Sequence, residues 1–309
     1  MRQPDEFNPT PHIPEEVMPG LRRILCDNPS AFTYRGTNTY LIGEGGGIAV
    51  VDPGPPSTAH LAGIMGALRE GEHISHIFIT HAHLDHTPLA ADLARQTGAP
   101  VLAYGDALAG QSAVMRELSA EGGMGGGEGI DADFMPDETL ADGQEVAGDG
   151  WRVTALWTPG HQCNHLCFDV DTGSGYGTIL TGDHVMGWSS SIVSPPDGDL
   201  TQFMQSCRSL RAHPARVHLP GHGAAITDPG ARLDWLVAHR EQREASILEA
   251  LRSGPADATG IAVQVYTETP PDLLPAATRN VLAHLIDLAE RGRVTTDRPL
   301  RTTSIFRLT

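Results

Sequence analysis

The chain has 309 residues and a formal net charge of −17, which disfavours a protein whose main role is to bind nucleic acid. Its 21 strongly basic side chains are all arginines, so chemistry that needs a lysine, such as Schiff-base formation or the Walker phosphate loop, is excluded. Residues 1–20 hold five prolines and lack the basic start and apolar run of a signal peptide. With no apolar run of membrane-spanning length and only four cysteines, we expect a cytoplasmic protein without a membrane segment.

The first half of the chain alternates predicted strands and helices. Residues 39–42 and 48–51 flank a triple-glycine turn and predict a hairpin, and residues 57–69 then carry apolar side chains at helical spacing. Residues 74–80 predict a buried strand, Thr87-Pro88 a capped helix start, and residues 101–104 another strand. Residues 151–158, 166–170 and 178–181 predict a second run of strands. This pattern indicates an α/β sandwich with two sheets.

The last third is predominantly helical. Asp199 is expected to cap one helix, a short strand follows at residues 217–219, and Asp228-Pro229 starts a longer helix that reaches about Arg252. Two further helices and a small hairpin over residues 294–308 predict a compact accessory domain. Its tail reverses the sign of the chain, which suits either a charge-balanced exposed face or a contact with phosphate or a partner. The basic residues of this tail are Arg291, Arg293, Arg298, Arg301 and Arg307, against Asp297.

The most informative segment is His81-Ala82-His83-Leu84-Asp85-His86, where a buried strand is predicted to give way to a helix. His81 and His83 would share one face at the end of the strand, because side chains two positions apart point the same way. The following turn would direct Asp85 and His86 towards a second point nearby. Neutral imidazoles and a carboxylate are ligands that suit zinc, iron or manganese.

Three further fragments have the same character. His161, Asp183 and His222 each follow a predicted strand and each has a neighbouring glycine, which permits tight turns and close backbone approach. Loops at one edge of a sandwich would bring these residues to the first cluster. The predicted metal ligands are His81, His83, Asp85, His86, His161, Asp183 and His222.

This set of residues resembles the metallo-β-lactamase superfamily, over roughly residues 37–223. The resemblance implies an αββα sandwich with one metal held by His81, His83 and His161. It implies a second metal held by Asp85, His86 and His222, with Asp183 bridging the two. A ligand at His86 and an aspartate at 183 look like the glyoxalase-II-type dinuclear branch, whereas β-lactamases usually lack the former and often have a cysteine in place of the latter.

Two divalent ions, with zinc expected and manganese or iron as alternatives, would turn a shared water into a bridging hydroxide that attacks a carbonyl or phosphorus. Asp85 and Asp183 are the predicted catalytic carboxylates, with Asp85 orienting the nucleophile or relaying its proton. Thr80 and Asp52 are expected to support the metal loops. His165 and His184 are either structural or auxiliary to the site, and Trp188 is a candidate for a substrate wall.

The order of elements resembles the lactamase-beta-like-protein-2 branch, whose members end in a winged-helix-like domain. We therefore expect a catalytic domain over residues 1–228 and an accessory domain over residues 229–309. The leading hypothesis is a hydrolase of a small ester, thioester or lactone, because the acidic surface would repel polyanions. The alternative is a phosphodiesterase or endoribonuclease that seats RNA on the C-terminal arginines. A non-catalytic or redox metalloprotein is a third hypothesis, and the oligomeric state is left open.

Overall fold

A computed structural model describes residues 7–121, 129–268, 270 and 273–309. Its first sheet runs in chain order through strands β1 Glu15–Met18, β2 Leu21–Leu25, β3 Asn38–Ile42, β4 Gly47–Val51, β5 His73–Phe78, β6 Val101–Ala103 and β7 Glu138–Thr139. Strands β1 to β4 pair antiparallel, and β4 to β7 pair parallel.

The second sheet is built from β8 Glu145–Ala147, β9 Arg152–Trp157, β10 Leu166–Asp171, β11 Thr178–Gly182 and β12 Val217–Pro220. Their spatial order is β12-β11-β10-β9-β8, with β11 and β12 parallel and the other neighbours antiparallel. The helices are α1 Thr58–Gly66, α2 Leu89–Thr97, α3 Ala113–Glu121, α4 Leu200–Ala212, α5 Pro229–Leu251, α6 Ala258–Val265 and α7 Leu274–Glu290. A two-stranded ribbon, β13 Val294–Thr295 and β14 Arg307–Leu308, ends the chain.

The inner strands of both sheets bury side chains on both faces, while the edge strands β1, β7 and β8 are largely exposed. On β3, Tyr40 and Ile42 pack between the two sheets, while Leu41 packs on the outer face against α1 and α2. On β11, Leu180 points between the sheets and Ile179 packs against α4 and α5. This alternation follows from the two-residue period of a strand, and it produces four layers in the order helix, sheet, sheet, helix.

The C-terminal helices share a separate apolar core. Ile247 of α5, Ile261 of α6, Leu285 of α7 and Phe306 beside β14 form it together with Met115 of α3. Helix α3 therefore connects the sandwich to the C-terminal helices. Among the described residues, no helix is both long and apolar enough to cross a membrane.

The predicted order of elements is confirmed, and the sequence also missed several. The sequence did not predict strands β1, β2, β7 and β8 or helix α3. The four strands are short or carry charged residues, and they gain their stability from pairing with neighbouring strands. The predicted Thr87 cap is wrong: α2 begins after Pro88 without a side-chain cap, and the Thr87 hydroxyl instead donates to Asp131 Oδ2 at 2.6 Å. Ser57, Asp199 and Asp228 do cap α1, α4 and α5.

The contact between the sheets should dominate stability. Phe168 is fully buried and meets Phe78 edge to face, with 5.4 Å between ring centroids. We expect Phe168→Ala to lower the free energy of unfolding by about 3–5 kcal/mol, because it leaves a cavity in a packed interior. Phe32→Ala is the matched control, because this side chain is 62% exposed. We expect it to change the free energy of unfolding by less than about 0.5 kcal/mol. Denaturant unfolding of both variants tests this, and equal losses would contradict the assignment of the core.

Candidate metal centre

All seven predicted ligands lie at one edge of the sandwich, where strands from both sheets end. Strand β5 leads into the segment with the first four, and β9, β11 and β12 lead to the other three. Neighbouring strands that end at one edge place their following loops side by side, so residues distant in sequence meet. These residues are His81, His83, Asp85, His86, His161, Asp183 and His222.

Three histidines converge on one point. His83 Nδ1 lies 2.9 Å from His81 Nε2 and 3.2 Å from His161 Nε2. Two nitrogens bound to one tetrahedral zinc ion at its usual bond length are about 3.3 Å apart, so these distances fit a shared ion. The three ring nitrogens could therefore hold one metal.

A second group lies beside the first. Asp85 Oδ2 is 3.2 Å from His222 Nε2 and 3.6 Å from His86 Nε2, and these three residues could also hold a metal. Asp183 lies between the groups, with its Oδ2 3.2 Å from His222 Nε2 and 3.8 Å from His161 Nε2. One carboxylate thus reaches donor atoms of both groups.

The remaining ring nitrogens fix the orientation of the histidines. His161 Nδ1 donates to the carbonyl of Ile192 at 2.8 Å, and His222 Nδ1 donates to the carbonyl of Gly36 at 3.1 Å. A carbonyl can only accept, so each Nδ1 carries a proton and each Nε2 is turned towards the centre.

Asp52 performs the same task for two other histidines. Its carboxylate accepts from the Thr80 amide at 2.8 Å, from the Thr80 hydroxyl at 2.7 Å and from His86 Nδ1 at 2.9 Å. Because the Thr80 hydroxyl donates to Asp52, it accepts from His81 Nδ1 at 2.9 Å. Asp52 itself has a φ of 52°, a backbone conformation that non-glycine residues rarely adopt and that is typical of functional sites. The predicted support of the metal loops by Asp52 and Thr80 thus takes the form of hydrogen bonds to these histidines.

The electrostatics separate the two groups. Burial lowers the pKa of His81 and His161, and lowers the pKa of His83 to about 3, so these imidazoles are neutral. Burial also disfavours charge on His86, but the carboxylates of Asp85, Asp52 and Asp183 outweigh it and raise its pKa to about 9. The second group therefore stabilises a positive charge at its centre.

The carboxylates respond in the opposite direction. Although burial opposes their ionisation, the neighbouring histidines, mainly His86 for Asp85 and His222 for Asp183, hold both pKa values well below the ordinary range. Two buried atoms of the centre, His86 Nε2 and Asp183 Oδ1, have no hydrogen-bond partner among the described residues. Unsatisfied buried donor and acceptor atoms are costly, so this arrangement fits a bound cation.

The glycines next to the ligands allow the backbone to approach closely. A Cβ at Gly221 would lie 2.5 Å from Asp183 Oδ1, and a Cβ at Gly160 would lie 2.3 Å from the Cα of Phe203. Gly160 also has a φ of 139°. Both contacts are too short for any side chain, which explains the glycines beside His161 and His222.

Three residues left open by the sequence have distinct positions. His165 Nε2 accepts from the Asp183 amide at 3.2 Å, so it positions the backbone of that residue. His184 is buried against Phe203 and 3.6 Å from Cys207 Sγ, which indicates a structural role. Trp188 stacks on Tyr34 with ring centroids 5.1 Å apart.

The sequence missed the groups that act through the backbone. Ile192 contributes its backbone carbonyl, and because every residue has one, the residue type gives no indication of this role. The Asn38 amide donates to the carbonyls of Pro220 and Gly223 at 3.0 and 2.9 Å and so anchors the loop that bears His222. The sequence could not show that Asn38 lies beside this loop, because Pro220 and Gly223 are 182 and 185 positions further along the chain.

The family models agree with this fold and site. Residues 33–222 match the model of the Metallo-beta-lactamase superfamily, and residues 259–299 match that of the Beta-lactamase associated winged helix domain. The chain therefore belongs to the metallo-beta-lactamase superfamily. Its class is that of the hydrolases with this fold, followed here by a C-terminal winged-helix domain.

Individual relatives refine the comparison. The chain is 32% identical over 280 residues to the Beta-lactamase-like protein 2 homolog of Drosophila melanogaster, covering 88% of each chain. It is 30% identical over 240 residues to the atrochrysone carboxyl ACP thioesterase dmxR1 of Cryptosporiopsis sp. (strain 8999), covering 77% of this chain and 64% of that protein. A beta-lactamase domain protein from Burkholderia ambifaria shares the fold, with a TM-score of 0.79, 21% identity and coverage of 99% and 96%.

The role of Asp52 can be tested directly. We expect Asp52→Asn to weaken metal binding by about 10–100-fold, because the amide cannot serve as acceptor to all three of its present donors. Asp149→Asn is the matched control, since this exposed aspartate also accepts from a backbone amide, that of Gly46, but lies in a surface turn. Titration of the metal-free variants with Zn²⁺ measures the affinity, and an unchanged Asp52→Asn variant would refute the role.

Proposed function

We propose that the chain is a dinuclear metal-dependent hydrolase of a small ester, thioester or lactone. The observation that carries this proposal is the position of Asp183 between two groups of donor atoms, within 3.8 Å of His161 Nε2 and 3.2 Å of His222 Nε2. His81, His83 and His161 would hold one ion, and Asp85, His86 and His222 the other. The nitrogen and oxygen donors suit zinc, with manganese or iron as alternatives.

Two bound divalent ions would supply a nucleophile from water near neutral pH and a Lewis acid for the carbonyl oxygen. The residues of the chain provide the geometry. Asp85 is the more exposed of the two carboxylates, with 27% of its side chain accessible against 9% for Asp183. A substrate would therefore approach from the side of Asp85, whose carboxylate would orient the attacking water or relay its proton.

The choice of a small carbonyl substrate has two supports. One relative is named as an acyl-carrier-protein thioesterase, and thioester hydrolysis is the chemistry that this site would perform. The other support is charge: the net charge of −17 disfavours polyanionic substrates.

Four of the five arginines of the C-terminal tail pair with carboxylates of the protein, which disfavours the RNA alternative. Arg298 and Arg301 pair with Glu117 and Glu121 of α3 at 3.0 and 3.3 Å. Arg291 pairs with Glu244 at 2.6 Å, and Arg307 with Asp297 at 3.0 Å. Arginines already paired with carboxylates are poorly available to a phosphate backbone.

We also propose that the catalytic domain spans residues 1–228 and the accessory domain residues 229–309. Helix α5 begins at this boundary and ends in the C-terminal core. The four cysteines are free and buried, which supports a reducing compartment such as the cytoplasm.

Substrate class can be determined by a parallel screen. The untagged protein is assayed for bound metals and for turnover of p-nitrophenyl esters, acyl thioesters, lactones, bis-p-nitrophenyl phosphate and short single-stranded RNA. We expect about two metals per chain and turnover of carbonyl substrates, which should fall to the buffer rate in Asp183→Ala because the shared carboxylate is lost. Turnover of the phosphodiester or RNA, with no turnover of carbonyl substrates, would replace this proposal with the nuclease alternative.

Metal removal should also lower stability. Ions that bind only the folded chain stabilise it by mass action, so free metal at about 1,000 times the dissociation constant should raise the melting temperature by roughly 8–16 °C over the chelated protein. Differential scanning calorimetry with and without chelator measures this. In the His161→Ala, His222→Ala double variant the difference should largely disappear, and a difference that persists would place the metal elsewhere.

A further inference from the structure

The segment that follows Asp183 forms one wall of the site. Residues 184–193, called here the 184–193 loop, connect β11 towards α4 without helix or strand. The loop contacts the centre at two points, because it starts beside Asp183 and because its Ile192 carbonyl accepts from His161 Nδ1 at 2.8 Å. Within the loop, the Ser191 hydroxyl donates to the carbonyl of His184 at 2.7 Å.

Two arginines of α5 hold this loop by its backbone. Arg232 donates from Nε to the carbonyl of Met186 at 2.7 Å and from Nη2 to the carbonyl of Ser189 at 2.6 Å. Arg240 donates from Nη2 to the carbonyl of Ser191, the residue before Ile192. The two arginines are eight positions apart, which places them about two turns apart along the helix and about 80° apart around its axis.

These guanidinium groups are unusual in their surroundings. Arg240 is only 3% exposed, and neither arginine has a carboxylate partner in the part of the chain that the structure describes. Burial lowers the pKa of each to about 10. Arg240 packs over the ring of Phe203, with 5.3 Å between Cζ and the ring centroid.

A buried cation without a counter-charge opposes folding, and an apolar side chain of similar volume would fill the same space at lower cost. What an apolar side chain cannot do is donate a hydrogen bond to a loop carbonyl, as Arg240 does once and Arg232 twice. The arrangement therefore favours a function in fixing the loop rather than in filling the interior.

We propose that Arg240, assisted by Arg232, is a positioning residue for the proposed metal ligand His161. The connection runs from Arg240 to the Ser191 carbonyl, through the adjacent Ile192 carbonyl, to His161 Nδ1. The inference rests on the proposed metal centre. It implies that α5, which lies beyond the residues matched to the lactamase family, completes the support of one metal group.

The effect should be larger at one group, because Asp183, where the loop starts, is shared by both groups. The His81, His83 and His161 group depends on the loop through His161. In the Asp85, His86 and His222 group, the outer ring nitrogens bond Asp52 and the Gly36 carbonyl, neither of which contacts α5 through a hydrogen bond. A general loss of stability would weaken both groups alike.

The test is a calorimetric titration of the metal-free protein with Zn²⁺, which resolves the two dissociation constants. His161→Ala in the same titration identifies the constant that belongs to its group. We expect Arg240→Met to weaken that constant by about 10–100-fold and to leave the other within about threefold. Arg240→Lys keeps the charge and one donor and should recover part of the loss. Arg211→Ala, which removes a surface pair with Asp234, is the control and should change neither constant.

The outcomes separate the two proposals. If the wild-type chain binds two ions and Arg240→Met leaves both constants unchanged, or weakens both equally, the positioning role is wrong while the metal centre stands. If the wild-type chain binds no divalent ion, the metal centre itself fails. Should Arg240→Met not fold, Arg232→Gln, at a less buried position, is expected to weaken the same constant by a smaller factor, and no change there would overturn the proposal.

Discussion

The hydrogen bonds to the outer ring nitrogens of the site histidines are the interactions on which the centre depends. An imidazole presents a lone pair in a fixed direction only when its other nitrogen has an acceptor. His161 and His222 find this acceptor in backbone carbonyls, and His81 and His86 find it through Thr80 and Asp52. Without these acceptors, the four buried imidazoles of His81, His86, His161 and His222 would not be held pointing inward.

The sandwich makes the acceptors available because it fixes the ends of its strands. Asp52 follows β4, and the Thr80 amide that it binds follows β5, the parallel neighbour of β4 in the first sheet. Asp183 follows β11 and His222 follows β12, parallel neighbours in the second sheet. These strands are buried on both faces, so their ends are held rigidly. That rigidity allows the lowered pKa values of the carboxylates and the raised pKa of His86 to coexist in one buried cluster.

The C-terminal helices use charge in two different ways. The arginines of the tail form ion pairs at the surface, mostly with α3 and α7 or with the tail itself, and such exposed pairs contribute little to stability. Arg232 and Arg240 on α5 instead donate to backbone carbonyls beside the site and pack over the rings of Trp235 and Phe203. Arg240 is buried and Arg232 is half-buried. Arginine thus balances surface charge in the tail and holds the backbone of a loop on α5. The two uses differ in how deeply the arginine side chain is buried.

The sequence by itself determined the class of fold and brought forward the seven candidate ligands. Short continuous apolar runs predict strands that are buried on both faces, and the metal-binding residue types are recognisable wherever they stand, as in His81 to His86. Only the tertiary structure decided which atoms meet: that Asp183 lies between two groups, that Asp52 serves His86 and His81 at once, and that α5 reaches the Ser191 carbonyl. Strands such as β1 and β7 also escaped the sequence, because their pairing partners are chosen by the fold. These contacts and strand pairings share one physical reason. Nearly every residue carries the same backbone donor and acceptor, so their partners depend on which groups the fold brings within hydrogen-bond distance.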